Sequence, residues 1–157
     1  MHIEIWFTPL YYNGNLHLEA QVNGTTVATW NCKQECCEQQ VLSFDVEKIP
    51  LLLKLIFSNK NQDIDTLVDS TGQILKDKAI RIDQMSIDKI KIYHELFLIP
   101  FVTESGQVIE KSLYFGFNGV YTVDIRPNLF QWLNHSKMLL SQQSTKNDYQ
   151  DFLKDIL

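Results

Sequence analysis

Four aspartates in one long polar stretch are the side chains of this sequence best suited to hold a metal ion. Calcium prefers several oxygen ligands on a flexible loop. Residues 58–78 form the longest polar stretch, and its aspartates are Asp63, Asp65, Asp69 and Asp77. The spacing fails the EF-hand pattern, because Leu67 stands where an oxygen is needed and Gly72 is misplaced. We therefore favour aspartates that close local turns and expect no cofactor, with calcium at Asp63, Asp65 and Asp69 as the alternative.

Nucleophiles and their possible bases are few and scattered. The three cysteines, Cys32, Cys36 and Cys37, share one short stretch, and the four histidines are spread along the chain. An odd count in one loop predicts reduced thiols rather than a disulfide framework, and zinc would need four Cys or His ligands. There is no glycine-rich phosphate loop and no Gly-x-Ser-x-Gly elbow. The sequence therefore predicts a protein that is not an enzyme.

The composition is that of one globular domain. The chain has 157 residues, of which 45% are hydrophobic, and a formal net charge of -5. An acidic chain argues against nucleic-acid binding, which usually shows a basic stripe. No apolar run reaches the ~20 residues of a membrane helix, and the N-terminus lacks a signal-peptide core. We therefore expect neither membrane insertion nor nucleic acid as a partner.

Alternating apolar residues predict antiparallel strands in the N-terminal part of the chain. Two Asn-Gly pairs, at 13–14 and 23–24, are strong signals for tight hairpins. Closing both turns gives a three-stranded meander. Its buried face then carries Ile5, Phe7, Ala20, Val22 and Val27.

The same register places two tryptophans on the opposite, polar face of the meander. Trp6 and Trp30 there, with Tyr12, would form a surface that stacks sugars or covers a partner. The alternative is a second packing layer, in which a later segment of the chain covers this face.

Later segments continue the strand pattern. Strands are expected within 42–46, 51–57, 79–83 and 85–92, with a bulge between Ile82 and Met85. Asn118-Gly119 predicts a hairpin that closes 112–117 onto 120–125. Many short strands divided by turn residues indicate an all-β fold, an antiparallel β-sandwich of the jelly-roll type.

The C-terminal part changes to helical spacing. Apolar residues from Leu129 to Leu140 suit one helix face, and 141–145 is a polar break. We expect a β-sandwich domain over 1–140 and a helical tail over 141–157. The tail either folds back over the sandwich or docks in a partner's groove. Its apolar face consists of Tyr149, Phe152, Leu153 and Ile156.

Two groups of residues carry a resemblance to a known class of protein. The first comprises 58–60, 65–69, Gly72, Asp77 and 87–88, although Lys89 stands where a turn glycine is expected; the second comprises 115–121, Phe130 and 132–133. Together they cover roughly 51–133 and resemble small virion proteins of tailed bacteriophages. The β-sandwich of those proteins is similar to that of carbohydrate-binding modules.

The resemblance implies a non-enzymatic accessory component of a virion. It would sit in the tail, neck, fibre attachment or capsid surface, assemble as a homo-oligomer with other virion proteins, and be made in the host cytoplasm. The alternative function is a carbohydrate-binding module that recognises a cell-surface glycan.

Overall fold

The computed structural model describes residues 1–32, 38–47, 50–126, 131–135 and 138. The strands are β1 His2–Leu10, β2 Leu16–Val22, β3 Thr25–Cys32, β4 Gln40–Asp45, β5 Leu51–Ser58, β6 Thr66–Val68, β7 Ile74–Asp77, β8 Ala79–Ile87, β9 Ile90–Ile92, β10 Phe101–Thr103, β11 Val108–Ile109, β12 Tyr114–Phe115 and β13 Gly119–Ile125. A short helix α1 spans Gln62–Asp65, a 3-10 helix spans His94–Leu98, and residues 131–135 are helical.

Two antiparallel sheets make up most of the molecule. Sheet A has the order β12-β8-β1-β4, with β9 also paired to β8, and sheet B has the order β11-β10-β13-β5-β2-β3. A third, two-stranded sheet consists of β6 and β7. The expected all-β antiparallel sandwich is confirmed.

The core lies between sheets A and B. Strands β1 and β5 are each paired on both sides, and every second residue along them is buried as expected for strands with one face on the core. Aromatic side chains join the sheets. The Phe101 and Phe115 rings stack at 4.5 Å between centroids, and the Tyr121 ring lies 5.6 Å from that of Phe115.

The predicted meander is wrong at its first turn. Asn13 and Gly14 both have positive φ, 58° and 70°, yet β1 pairs with β4 and β8 while β2 pairs with β3 and β5. The link between β1 and β2 therefore carries the chain from sheet A to sheet B. The prediction of which residues face the core does not depend on this pairing, because a hairpin and a crossover between sheets both turn the same alternating residues inward. Ile5, Phe7 and Ala20 are accordingly fully buried.

The second turn forms the expected hairpin but with a different register. Val22 pairs with Thr25 as predicted, but Gln21 pairs with Thr26 and Ala20 with Ala28, so Val27 is an extra residue in β3 that shifts the pairing by one. Because a one-residue shift exchanges the faces of a strand, Val27 is 37% exposed instead of buried. Trp30 correspondingly turns inward, and its ring meets Phe7 edge-on at 5.0 Å.

The predicted bulge in β8 is confirmed. Trp6 pairs with Gln84 and Phe7 with Ile82, so Asp83 is the extra residue. Its carboxylate accepts hydrogen bonds from Thr8 Oγ1 at 2.6 Å and Gln39 Nε2 at 3.0 Å. Burial alone would raise the pKa of Asp83, but these hydrogen bonds, with Arg81, together lower it.

A hairpin divides the strand expected over 85–92 into the end of β8 and β9, although its turn contains no glycine. Asp88 and Lys89 both adopt positive φ, 47° and 70°, which is the backbone that a two-residue hairpin turn requires. Asp88 Oδ1 accepts a hydrogen bond from the backbone N–H of His2 at 2.7 Å. The turn is thereby tied to the neighbouring strand β1.

The predicted hairpin at Asn118-Gly119 is wrong. Strand β12 pairs with β8 in sheet A, whereas β13 pairs with β10 and β5 in sheet B. The Asn118 side chain instead binds the backbone of Lys60, accepting from its N–H at 2.8 Å and donating to its carbonyl at 3.0 Å. Gly119 is needed for close packing, since an added Cβ would lie 2.4 Å from the Val102 carbonyl oxygen.

The helical residues near the C-terminus rest on the sandwich. Leu133 is buried in the core and Trp132 packs against it. The predicted tail over 141–157, with Tyr149, Phe152, Leu153 and Ile156, lies outside the described residues. Among the helices that are described, none has the length and apolar character to cross a bilayer.

Candidate functional site

An open groove of about 560 Å³ lies where the β1–β2 link meets the β6–β7 hairpin. Tyrosines form much of its surface, so we call it the tyrosine groove. Its lining residues are Leu10, Tyr11, Tyr12, Asn13, Ile74, Leu75, Lys76, Asp77 and Tyr114. A second cavity, beside Phe97 and Glu110, is about 170 Å³, which is below the ~300 Å³ of typical ligand pockets.

Two buried ion pairs hold the β6–β7 hairpin in place beside the sandwich. Lys78 Nζ lies 3.0 Å from Asp65 Oδ2, with both side chains 4% exposed. Lys60 Nζ pairs with Asp77 Oδ1, with the side chains 2% and 7% exposed. Charges buried this deeply are tolerated only when they are paired and hydrogen-bonded, so the ion pairs fix the position of the groove wall.

Asp77 links this wall to the floor of the groove. Besides Lys60, its carboxylate accepts hydrogen bonds from Thr66 Oγ1 at 2.7 Å and from the Tyr114 hydroxyl. Burial raises the pKa of Tyr114 well above its usual range, and the neighbouring Asp77 carboxylate raises it further. The Tyr114 hydroxyl therefore stays protonated as a donor, and its ring is held at one orientation in the groove.

An aromatic ring that follows β1 and a cation of β7 meet in the groove. Tyr12 follows β1, and the Lys76 ammonium of β7 lies 5.6 Å from the centroid of its ring, within the range of a cation–π contact. Asn13, the next residue, donates a hydrogen bond to the Ile64 carbonyl at 3.4 Å. The groove thus offers flat apolar rings, amide groups and an ammonium within one concave surface.

The aspartates considered as calcium ligands have separate structural roles. Asp65 is paired with Lys78, and Asp69 Oδ1 accepts from the backbone N–H groups of Thr71 and Gln73 at 2.8 and 3.0 Å. Asp63 lies exposed in α1. Hydrogen bonds, first from the Thr71 hydroxyl and then from the backbone, lower the pKa of Asp69. Across the described part of the chain no three acidic, His or Cys side chains group as metal ligands.

The residues predicted to stack sugars are not brought together. Trp6 lies on the outer face of sheet A, whereas Trp30 belongs to sheet B and packs inward on Phe7. The predicted shared face is wrong for two reasons: the chain crosses from sheet A to sheet B between β1 and β2, and the bulge in the β2–β3 hairpin turns Trp30 inward. Tyr12 alone of the three lines the groove.

A Ser-His-Asp arrangement occurs on the outer face of sheet A. Ser43 Oγ is 3.2 Å from His2 Nε2, and His2 Nδ1 is 2.9 Å from Asp45 Oδ1. The His2 side chain is 44% exposed and that of Asp45 82%, and these residues line neither the tyrosine groove nor the second cavity. A catalytic triad depends on oxyanion donors in a site that excludes water, so we interpret this set as a solvated surface network.

Comparisons with known proteins bear on the fold. The sequence matches no protein-family model and no curated protein. Among solved structures, it is similar to vCBM60 in complex with galactobiose, with a TM-score of 0.52 and 18% identity over 79% of this chain and 98% of that chain. The chain shares the β-sandwich fold of this carbohydrate-binding module.

A second structure of vCBM60 gives a TM-score of 0.49 at 17% identity over 78% of this chain and 89% of that chain. Its description links two families of calcium-dependent carbohydrate-binding modules by circular permutation. In this chain, the buried carboxylates nearest the groove, Asp65 and Asp77, are already neutralised by lysines. These residues do not fit a calcium site. Neither comparison concerns a phage particle, so the virion assignment stays a prediction.

Several residues of the groove have no signal in the sequence. Lys76 and Asp77 lie in β7 and Tyr114 lies in β12, and the alternating pattern marks Tyr114 only as a strand residue. Tyr11 and Tyr12 directly precede an Asn-Gly pair. Adjacent tyrosines at the end of a strand, before a turn, were the one available sign that aromatic side chains collect at this edge.

Proposed function

We propose that this protein is a carbohydrate-binding module and that the tyrosine groove holds the saccharide. The observation that carries the proposal is the groove itself: Tyr11, Tyr12 and Tyr114 line one concave surface with Asn13 and polar groups of β7. The shared fold with a module solved with galactobiose supports it.

The chemistry of the groove matches that of a sugar. A pyranose has apolar C–H faces that pack on flat rings and hydroxyls that need hydrogen-bond partners, and a tyrosine offers both an apolar body and a polar tip. The volume of about 560 Å³ lies in the ~300–1,000 Å³ range of small-ligand sites. The groove is therefore large enough for a short oligosaccharide.

The groove is also held rigid before any ligand arrives. The Tyr114 hydroxyl is fixed on Asp77, and Asp77 is fixed on Lys60 and Thr66. A wall that is already ordered loses little conformational entropy on binding, which favours affinity. Preorganisation of this kind is typical of a recognition site.

Binding to galactobiose and to immobilised galactan tests the proposal. We expect Tyr12→Ala to weaken binding at least about tenfold, since a lost stacking ring and its buried area together exceed ~1.4 kcal/mol. Isothermal titration calorimetry and affinity electrophoresis measure the change. Trp6→Ala is the matched control, because Trp6 is an aromatic residue on sheet A that does not line the groove.

Two results would contradict the proposal. One is that no saccharide in a broad glycan array binds the folded wild-type chain. The other is that Trp6→Ala abolishes binding while Tyr12→Ala leaves it unchanged, which would place the site on the outer face of sheet A. Since Lys60 and Lys78 neutralise the nearby carboxylates, we also expect binding to persist in EDTA.

A further inference from the structure

The tyrosine groove presents one positive charge that no carboxylate neutralises among the described residues. Its charged lining residues are Lys76 and Asp77. Both oxygens of Asp77 are engaged, Oδ1 by Lys60 and Thr66 and Oδ2 by the Tyr114 hydroxyl. The Lys76 ammonium, in contrast, is at an exposed position and contacts the face of the Tyr12 ring.

The position of the Lys76 ammonium determines which kind of sugar can stack favourably on the Tyr12 ring. It lies 5.6 Å from the ring centroid, so a neutral sugar on that face would displace a favourable cation–π contact without replacing it. A sugar that carries its own negative group can pack its C–H face on the ring and pair that group with the ammonium. The loss of the cation–π contact is then offset by a charge-assisted hydrogen bond between the ammonium and the negative group of the sugar.

The positive charge of Lys76 in the groove contrasts with the negative charge of the whole chain. The chain carries a net charge of -5, which repels anions at long range. Of the two charged residues that line the groove, Asp77 is neutralised in its buried pair with Lys60, and Lys76 is left. The remaining positive charge is the one at the surface of the groove.

We propose that the groove prefers an anionic saccharide, a pyranose bearing a carboxylate or a sulfate, whose negative group pairs with Lys76. This inference rests on the proposed function, because it specifies the ligand class of the same groove. Both groups supply the same chemistry, an anion one or two bonds from an apolar sugar face. Separate carboxylated and sulfated polymers distinguish the two sources.

The experiment compares three polysaccharides on the full chain by affinity electrophoresis and calorimetry: neutral galactan, polygalacturonate and a sulfated galactan. We expect at least one anionic polymer to bind about fivefold or more tighter than neutral galactan, the effect of one partly exposed ion pair. Raising the ionic strength from about 0.05 M to about 0.5 M removes that advantage, because salt screens exposed charges. Lys76→Gln removes it as well.

Lys54→Gln is the matched control. It removes the same charge from β5 in sheet B, away from the groove, so it changes the net charge without changing the site. We expect it to keep the preference for the anionic polymer. If Lys54→Gln and Lys76→Gln reduce anionic binding equally, the preference comes from net charge and the inference is wrong.

The outcomes separate this inference from the proposed function. Equal or tighter binding of neutral galactan, sensitive to Tyr12→Ala, overturns the anionic preference and leaves the carbohydrate-binding proposal standing. Failure of all three polymers, and of a glycan array, overturns both. Selective loss of anionic binding in Lys76→Gln, with neutral binding kept, supports the inference.

Discussion

In residues 58–78, two lysines neutralise the buried aspartates that the sequence suggests as metal ligands. In the sequence the aspartates stand out as a possible cation site, and Lys60 and Lys78 stand at the two ends of the segment. In the structure the two ammonium groups are buried and occupy the places where a metal ion would neutralise the carboxylates. The segment thus supplies its own cations for these two carboxylates.

Removing one of these ammonium groups is expected to cost much stability. Lys78→Met leaves the Asp65 carboxylate buried without its countercharge, which costs about 3–5 kcal/mol of the free energy of unfolding. Urea unfolding followed by circular dichroism measures the loss. Combining Lys78→Met with Asp65→Leu removes both charges and should recover part of it, as replacing a whole buried pair does.

Arg126→Met serves as the control for this substitution. Arg126 pairs with Asp124 at 3.3 Å, but the side chains are 73% and 57% exposed, and exposed pairs contribute about 0–1 kcal/mol. A loss for Lys78→Met no greater than that for Arg126→Met would show that the Lys78–Asp65 pair does not anchor the hairpin.

At the level of strands, the sequence predicts where elements lie better than which elements pair. The alternating residues located β1, β2, β4 and β5, and the shift of apolar phase located the bulge at Asp83. The Asn-Gly pairs at 13–14 and 118–119 were interpreted as hairpins, yet both link sheet A to sheet B. A turn signal indicates only a local backbone conformation. The partner of each strand is decided by packing against residues that are distant in sequence.

Gly119 tests the close pairing of β10 with β13 directly. An added Cβ would lie 2.4 Å from the Val102 carbonyl oxygen and 2.7 Å from Phe101 Cζ, so Gly119→Ala forces strand or ring to move. We expect a loss of about 2 kcal/mol or more, at the upper part of the range for overpacking. Urea unfolding measures it.

The control is a glycine whose role is conformational rather than steric. Gly106 has φ of +86°, and a Cβ added there would meet nothing within 4 Å. Asparagine tolerates this backbone region better than other residues. Gly106→Asn should therefore cost less than ~1 kcal/mol. Equal losses at both positions would argue against the close approach at Gly119.

For the whole molecule, the two layers are joined by a few aromatic contacts. The edge-on contact of Trp30 with Phe7 links β3 of sheet B to β1 of sheet A. The alternating pattern predicted Trp30 on the outer face, because the extra residue of the β3 bulge, Val27, leaves no mark in the alternation. This bulge and the crossover between β1 and β2 together explain why the predicted aromatic site could not be located from the sequence, although Tyr12 was named.

Alanine substitution distinguishes the two tryptophans. Trp30→Ala removes a partly buried ring that packs on the core and should lower the free energy of unfolding by about 2–3 kcal/mol, somewhat below the range for a fully buried tryptophan. Trp6→Ala, on the outer face, should cost less than ~1 kcal/mol. Thermal and urea unfolding measure both, and a larger loss for Trp6 would contradict the register described for β2 and β3.

The placement of β1 in the middle of sheet A has a consequence for biosynthesis. Its partner β8 follows far along the chain, with Ile3 paired to Ile87. A ribosome adds roughly 5–20 residues per second, so the nascent N-terminal segment waits on the order of several seconds for this neighbour. During that interval the edge of β1 that later pairs with β8 is available to chaperones, or to another copy emerging from the same polysome, while the other edge can already pair with β4.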